Sequence, residues 1–127
     1  MENPNIHIML IDDDDANNFL NKFIINNYNS EIMITEALNG KLALDYLLKS
    51  ENALPDIILL DINMPVMNGF EFLEEFQKMN IDITLHMLTS SVDDRDYEKA
   101  KSYCKVSNYY TKPINQAIIE EVINFQK

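Results

Sequence analysis

Five short segments with the character of β-strands are spaced along the chain. They comprise residues 6–11, 31–37, 56–60, 83–88 and 107–111. The first and third are almost continuously apolar, which is typical of strands buried on both faces of a parallel sheet. The second is more polar, and it is predicted to lie nearer an edge of the sheet.

A segment with the apolar spacing of a helix follows each predicted strand. In the first such segment the apolar residues are Ala16, Leu20, Phe23 and Ile24. This spacing predicts an amphipathic helix that packs on the sheet, and Asp14 or Asp15 is expected to cap it. Further helices are predicted around residues 42–47, 70–76, 97–104 and 114–125. The alternation of buried strands with helices predicts one doubly wound α/β domain.

Polar residues suited to chemistry stand at the ends of four predicted strands. They are Asp12 and Asp13 after the first strand, Asp61 after the third, Thr89 after the fourth and Lys112 after the fifth. Ligands of such sheets bind beyond the carboxyl ends of the strands, so these side chains are expected to meet. Neighbouring carboxylates repel one another, and Mg²⁺ relieves that repulsion. A carboxylate can also accept a phosphoryl group, and Asp61 is favoured because it follows the central, most apolar strand.

The composition narrows the classes of partner. The chain has 127 residues and a formal net charge of −11, from 21 acidic and 10 basic residues. This length suits one domain, and the acidity disfavours nucleic acid as a direct partner. The apolar runs are too short to cross a membrane, and no secretory signal is visible. The single cysteine, Cys104, fits a reducing cytoplasm and is expected to be a buried or half-buried thiol.

Four motifs together resemble the receiver domains of two-component response regulators, over residues 6–126. They are Leu10-Ile11-Asp12-Asp13-Asp14, Asp56-Ile57-Ile58-Leu59-Leu60-Asp61-Ile62-Asn63-Met64-Pro65-Val66-Met67-Asn68-Gly69, Leu88-Thr89-Ser90 and Tyr109-Tyr110-Thr111-Lys112-Pro113. The resemblance implies a flavodoxin-like fold with five parallel strands in the order 2-1-3-4-5 and five helices. We expect one stand-alone receiver domain over residues 1–127, with no output domain attached.

The resemblance also implies roles for single residues. Asp61 would accept a phosphoryl group from a sensor histidine kinase or a histidine phosphotransfer protein. Mg²⁺ would be held by the side chains of Asp13 and Asp61, by the backbone carbonyl of Asn63, and through water by Asp12. The domain would act as a cytoplasmic switch, monomeric or weakly dimeric, on an unidentified downstream protein.

Three further positions complete the implied site. Thr89 and Lys112 would contact the phosphoryl group, and Tyr109 together with Thr89 would take part in switching. The Lys112–Pro113 peptide bond is expected to be cis. His86 interrupts the fourth strand, and we expect it to be a hydrogen-bonded core histidine or one that faces a helix.

Two other functions remain open from the sequence. One is a Mg²⁺-dependent phosphohydrolase that forms an aspartyl phosphate. Such enzymes of the haloacid-dehalogenase type need a second acid two residues after the nucleophile, and Asn63 occupies that place. The other is an interaction module that is never phosphorylated. The presence of the acid pair, the threonine and the lysine argues against that module.

Overall fold

Strands and helices alternate without exception along the part of the chain that the structure, a computed structural model, describes: residues 6–49 and 51–125. Residues 1–5, 50 and 126–127 of the expected domain lie outside the described residues. The strands are β1 (His7–Ile11), β2 (Met33–Ala37), β3 (Ile57–Leu60), β4 (Thr84–Thr89) and β5 (Val106–Thr111). The helices are α1 (Asp15–Tyr28), α2 (Gly40–Leu48), α3 (Gly69–Phe76), α4 (Asp94–Lys101) and α5 (Gln116–Asn124).

The five strands form one parallel sheet in the order β2-β1-β3-β4-β5. The prediction of a doubly wound, flavodoxin-like fold is therefore confirmed. β1 and β3 lie inside the sheet and are buried along their whole length, whereas β2 forms an edge and is partly exposed. After β1 the chain adds β2 on one side of it and β3 on the other side. Such folds bind ligands at this switch point, beyond the carboxyl ends of β1 and β3.

Two apolar layers cover the two faces of the sheet. One layer joins the sheet to α2, α3 and α4, and its largest fully buried side chains include Phe72 and Phe76. The other joins the sheet to α1 and α5, through residues such as Ile25, Ile119 and Val122. With both faces covered, the strand ends are the part of the sheet left open to a ligand.

Helix α1 forms where the sequence predicts it, but it presents a different face to the sheet. Its buried residues are Asn18, Asn21 and Ile25. Phe19 and Phe23 are 72% and 56% exposed, and Leu20 is exposed as well. The expectation that the Ala16, Leu20 and Phe23 positions face the core is therefore wrong. Asp14 caps the helix, accepting hydrogen bonds from the backbone N–H groups of Ala16 and Asn17.

Cys104 also departs from its expectation, because its side chain is exposed. Helix α4 ends at Lys101, and in the turn that follows it is Tyr103 that enters the core. No described helix is both long enough and apolar enough to cross a membrane.

Candidate functional site

Two carboxylates meet at the carboxyl ends of the neighbouring strands β1 and β3. Asp12 follows β1 directly, and its backbone N–H donates to the carbonyl of Ala37 at 3.0 Å. Asp61 follows β3, and its backbone N–H donates to the carbonyl of Ile11 at 2.9 Å. The sheet's own hydrogen bonding thus continues through both residues and holds their side chains at the switch point.

Lys112 brings a positive charge to these carboxylates from the end of β5. Its Nζ lies 2.6 Å from Asp12 Oδ2 and 3.4 Å from Asp61 Oδ2. The three side chains are only 6–11% exposed. The backbone N–H of Lys112 donates to the carbonyl of Thr89, and the following peptide bond to Pro113 is cis, as expected. The buried ammonium group of Lys112 therefore lies between two buried carboxylates.

The local environment shifts the pKa values of both partners upward. Burial raises the pKa of the Asp61 carboxyl, and the charge of Asp12 adds to this rise, although Lys112 and hydrogen bonds from Thr89 and Ile62 oppose it. Burial lowers the pKa of Lys112, but its hydrogen bond to Asp12 and the two carboxylate charges outweigh burial and raise it. Asp61 is thus a desolvated carboxylate whose negative charge is incompletely compensated.

Asp13 adds a third carboxylate at the mouth of the site. One carboxylate oxygen from each of Asp12, Asp13 and Asp61 lies within 4.8 Å of the others, and Asp13 is exposed. This all-oxygen donor set suits a hard divalent cation such as Mg²⁺, which favours one or two carboxylates and retained water. The carboxylates outnumber the single ammonium group of Lys112, so the residues present fit a bound cation. Asn63 lies in the loop after Asp61, with an exposed side chain.

Thr89 and Tyr109 complete the set of residues that the sequence places at the site. Thr89 is fully buried at the end of β4, and hydrogen bonding by its hydroxyl opposes the rise in the pKa of Asp61. Tyr109 lies on β5 and is half-buried, and its hydroxyl donates to the carbonyl of Ser91 at 3.2 Å. Its ring packs edge-on against the ring of Tyr97, with 5.2 Å between the centroids. The hydrogen bond of Tyr109 thus goes to Ser91, two residues after Thr89, and not to the carboxylates.

Comparison with known proteins agrees with this geometry. The response regulator receiver domain model matches residues 8–124 of the chain. The chain belongs to this family. A two-component response regulator from Cytophaga hutchinsonii is 32% identical and superposes with a TM-score of 0.85, over 97% of this chain and 96% of that one. The phosphorylated cyanobacterial phytochrome response regulator RcpA is 25% identical, with a TM-score of 0.85 over 94% and 95% of the two chains.

A longer relative contains a similar segment. The protein-glutamate methylesterase/protein-glutamine glutaminase of Treponema pallidum is 40% identical over 81 residues, which cover 61% of this chain but 19% of that protein. The match thus spans less than a fifth of that relative. The resemblance stated from the motifs is confirmed, and the chain is a receiver domain of two-component signalling.

The loop after Asp61 places the start of α3 directly against the site. Asn68 caps α3: it accepts a hydrogen bond from the backbone N–H of Glu71, while the Glu71 carboxylate accepts one from the backbone N–H of Asn68. A Cβ on Gly69 would lie 2.4 Å from the carbonyl oxygen of Asp61, so only glycine allows this approach. Within the loop, Val66 has a φ of 68°, a left-handed conformation that is unfavourable for a β-branched residue.

Asn18 is a residue near the site whose contact the sequence pattern does not predict. It is buried on α1, and its side-chain Nδ2 donates to the backbone carbonyl of Asp12 at 3.0 Å. It thereby holds the segment that carries Asp12 and Asp13 against α1. In the sequence, an asparagine among other polar residues of a helix is typical of the solvent-facing side, so the pattern carries no signal for this contact.

Proposed function

We propose that this receiver domain is a phosphorylation-controlled switch and that Asp61 is its phosphoacceptor. The observation that carries the proposal is the surrounding of Asp61, a buried carboxylate with Lys112 Nζ at 3.4 Å and two further acids beside it. The buried Thr89 hydroxyl adds to it, because it opposes the rise in the pKa of Asp61. Phosphoryl transfer depends on positioning and on neutralisation of the phosphoryl oxygens, and these groups supply both.

The proposed step is a displacement at phosphorus. A carboxylate oxygen of Asp61 attacks the phosphorus of a phosphohistidine, an O–P bond forms, and the P–N bond breaks as the imidazole leaves with its electron pair. The Lys112 ammonium pairs with one phosphoryl oxygen, and the Thr89 hydroxyl donates a hydrogen bond to another. The Lys112 ammonium already lies 3.4 Å from the acceptor carboxylate, so it needs only a small displacement.

We further propose that Mg²⁺ is the cofactor. Asp13 and Asp61 would hold it by their side chains, Asn63 by its backbone carbonyl and Asp12 through water. Bound there, it would neutralise charge on the carboxylates and on the incoming phosphoryl oxygens. The support for this assignment is the oxygen-only donor set of the three acids.

The phosphoryl donor is proposed to be a sensor histidine kinase or a histidine phosphotransfer protein, and the recipient of the signal a downstream protein of unknown identity. Helix α1 supports a protein donor, because it begins three residues after Asp12 and exposes the large apolar side chains of Phe19 and Phe23. Exposed apolar patches of this kind mark sites of protein association. We propose that residues 1–127 form one receiver domain, which acts in the cytoplasm as a monomer or weak dimer.

Turnover of external substrates is not part of the proposal. The exposed Asn63 stands where a phosphohydrolase of this chemistry needs a second acid, and an amide cannot serve as a general acid or base. The domain would instead assist only the formation and loss of its own aspartyl phosphate. Phosphorylation would then shift the population between two conformations that bind partners differently.

Intact-mass measurement tests the proposal. The protein is incubated with Mg²⁺ and acetyl phosphate, and the expected result is a mass increase of one phosphoryl group that is absent from Asp61→Asn. Asp15→Asn is the matched control, since Asp15 is an exposed acid on α1 outside the cluster of three. The same mass increase in Asp61→Asn, or no increase in the wild-type protein, would overturn the assignment.

A further inference from the structure

Ser91 lies in the β4–α4 loop and contacts both the candidate site and helix α4. Its backbone N–H donates to the Thr89 hydroxyl at 3.2 Å. Its own hydroxyl donates to the carboxylate of Asp96 at 2.6 Å and accepts a hydrogen bond from the backbone N–H of Asp93 at 3.3 Å. Hydrogen bonding by the Thr89 hydroxyl in turn opposes the rise in the pKa of Asp61. A series of hydrogen bonds therefore runs from Thr89, a residue of the candidate site, to the first turn of α4.

Helix α4 has little else to hold its first turn. Of the residues in α4, Ala100 is the one that is buried, and it lies in the last turn. The remaining contacts of the helix include the edge-on packing of Tyr97 against Tyr109 and the ammonium group of Lys99, 4.5 Å from the ring centre of Phe70. The described contacts of the first turn of α4 are therefore the ring contact of Tyr97 and the polar contacts of Asp93 and Asp96.

The contact between Ser91 and Asp96 is suited to transmit a displacement. A hydrogen bond from a hydroxyl to a carboxylate is short and strong because the acceptor is charged. Asp96 lies in the first turn of α4, and Asp93 is the N-cap residue of the same helix. One serine hydroxyl thus holds both a side chain and the backbone of that turn, so a shift of the Thr89–Ser91 segment would carry the first turn with it.

We infer that Ser91 is the positioning residue that couples the phosphoryl site to helix α4, through its hydrogen bond to Asp96. This inference rests on the proposed function, because it requires that Thr89 change partners when Asp61 carries a phosphoryl group. Thr89 would then move toward the new oxygen, the N–H of Ser91 would follow its acceptor, and Asp96 would follow the Ser91 hydroxyl. The hydroxyl of Tyr109 also donates to the carbonyl of Ser91, so β5 contacts Ser91 as well.

Amide chemical shifts measured by NMR, with and without Mg²⁺ and beryllium fluoride as the phosphoryl mimic, test this coupling. In the wild-type protein we expect shifts at Ile62 and Thr89, near the acceptor, and at residues 93–97 of α4. In Ser91→Ala the shifts near the acceptor remain, while those at residues 93–97 fall below roughly half of the wild-type size. Ser91→Thr keeps a hydroxyl and should restore them.

Two further variants separate coupling from a general effect on the loop. Ser90→Ala is the matched control, because Ser90 is the exposed neighbour and none of the described hydrogen bonds of its side chain reaches α4. Asp96→Ala removes the other partner and should reproduce the loss, and it serves as the test if Ser91→Ala fails to fold. The double variant should lose no more than either single variant, since both remove one interaction.

The outcomes distinguish this inference from the proposed function. If the wild-type protein shows no shift at Ile62 and Thr89, the phosphoacceptor proposal fails and the coupling fails with it. If those shifts appear but Ser91→Ala retains the wild-type shifts at residues 93–97, as Ser90→Ala should, the coupling role of Ser91 alone is overturned. Independent, additive losses in Ser91→Ala and Asp96→Ala would overturn it as well.

Discussion

His86 is a histidine enclosed by apolar and aromatic side chains in the middle of β4. It is fully buried, with the ring of Phe125 edge-on at 5.2 Å and the ring of Tyr110 at 5.8 Å between centroids. Its Nδ1 lies 3.4 Å from Nδ2 of Asn108, and its Nε2 has no hydrogen-bond partner among the described residues. Burial lowers the pKa of His86 to about 4, so the ring is neutral at pH 7. Of the two alternatives expected from the sequence, the structure shows the hydrogen-bonded core histidine.

This buried histidine predicts a loss of stability in mild acid. The unfolded chain takes up a proton near pH 6.5, whereas the folded chain does so near pH 4, so the free energy of unfolding falls as the pH drops between these values. The full loss amounts to about 3 kcal/mol. Urea unfolding between pH 7.5 and pH 4.5 measures most of it. In His86→Leu most of this slope should disappear, and part should remain because burial also lowers the pKa of His7. An unchanged slope in the variant would contradict the assignment.

At the scale of a secondary-structure element, α1 is the helix whose orientation the apolar pattern misses. Asn18 and Asn21 face the sheet, where Asn18 satisfies the carbonyl of Asp12, while Phe19 and Phe23 face outward. An apolar stripe favours burial but does not specify what buries it. Here the end of β1 requires a polar partner on the inner side of the helix, and the aromatic side chains are left on the outer side.

Substitutions on α1 test this orientation. Phe19→Ser should change the free energy of unfolding by less than about 0.5 kcal/mol, because its side chain is 72% exposed. Ile25→Ala, on the buried face, should lower it by about 2–4 kcal/mol through lost burial and a cavity. Urea unfolding of both variants at pH 7 makes the comparison. A cost for Phe19→Ser that equals the cost for Ile25→Ala would show that the outer face is buried.

The approach of α3 to Asp61 gives a second prediction at this scale. Gly69→Ala places a Cβ against the rigid backbone of Asp61 and Ile62, and we expect a loss of about 1–3 kcal/mol together with slower phosphorylation of Asp61. Gly40→Ala is the comparison variant, because the nearest atom to its added Cβ belongs to the flexible Met67 side chain and the nearest backbone atom, the Met67 carbonyl oxygen, is 3.0 Å away rather than 2.4 Å. Unfolding by urea and intact-mass time courses measure the two effects. Equal costs at both glycines would refute the argument from backbone contact.

At the scale of the whole molecule, the net charge of −11 combines two contributions of different kind. Asp12, Asp13 and Asp61 converge at one edge of the sheet, where a cation would offset their mutual repulsion. Asp14 instead caps α1, and Asp15 lies exposed in its first turn. Only the convergent group is expected to respond specifically to a divalent cation, while the dispersed acids respond to ionic strength in general.

Mg²⁺ should therefore stabilise the folded domain beyond any effect of salt. At a concentration a hundredfold above its dissociation constant, it should raise the free energy of unfolding by about 2.7 kcal/mol, because it binds the folded site and not the unfolded chain. Asp13→Asn should lose most of this gain, and Asp15→Asn should keep it. Urea unfolding with Mg²⁺, or with NaCl of the same ionic strength, is the measurement. An equal gain with NaCl would refute a specific site.

Local pattern was sufficient for the order of elements and for the residues at the strand ends. A strand buried on both faces has to be continuously apolar, and the loops that follow it collect polar residues, so Asp12, Asp61, Thr89 and Lys112 are recognisable without coordinates. The parallel topology then brings these four segments to one edge, and this follows from the alternation of strands and helices.

Contacts between distant segments were decided only when the chain folded. The side of α1 that faces the sheet, the exposure of Cys104 and the hydrogen bonds that Ser91 makes to Thr89 and Asp96 have no periodic signal. Each depends on the distance and direction of a partner on another element. Amphipathic spacing reports the average polarity of a surface, whereas a single hydrogen bond or a close approach such as that of Gly69 depends on how two elements pack in three dimensions.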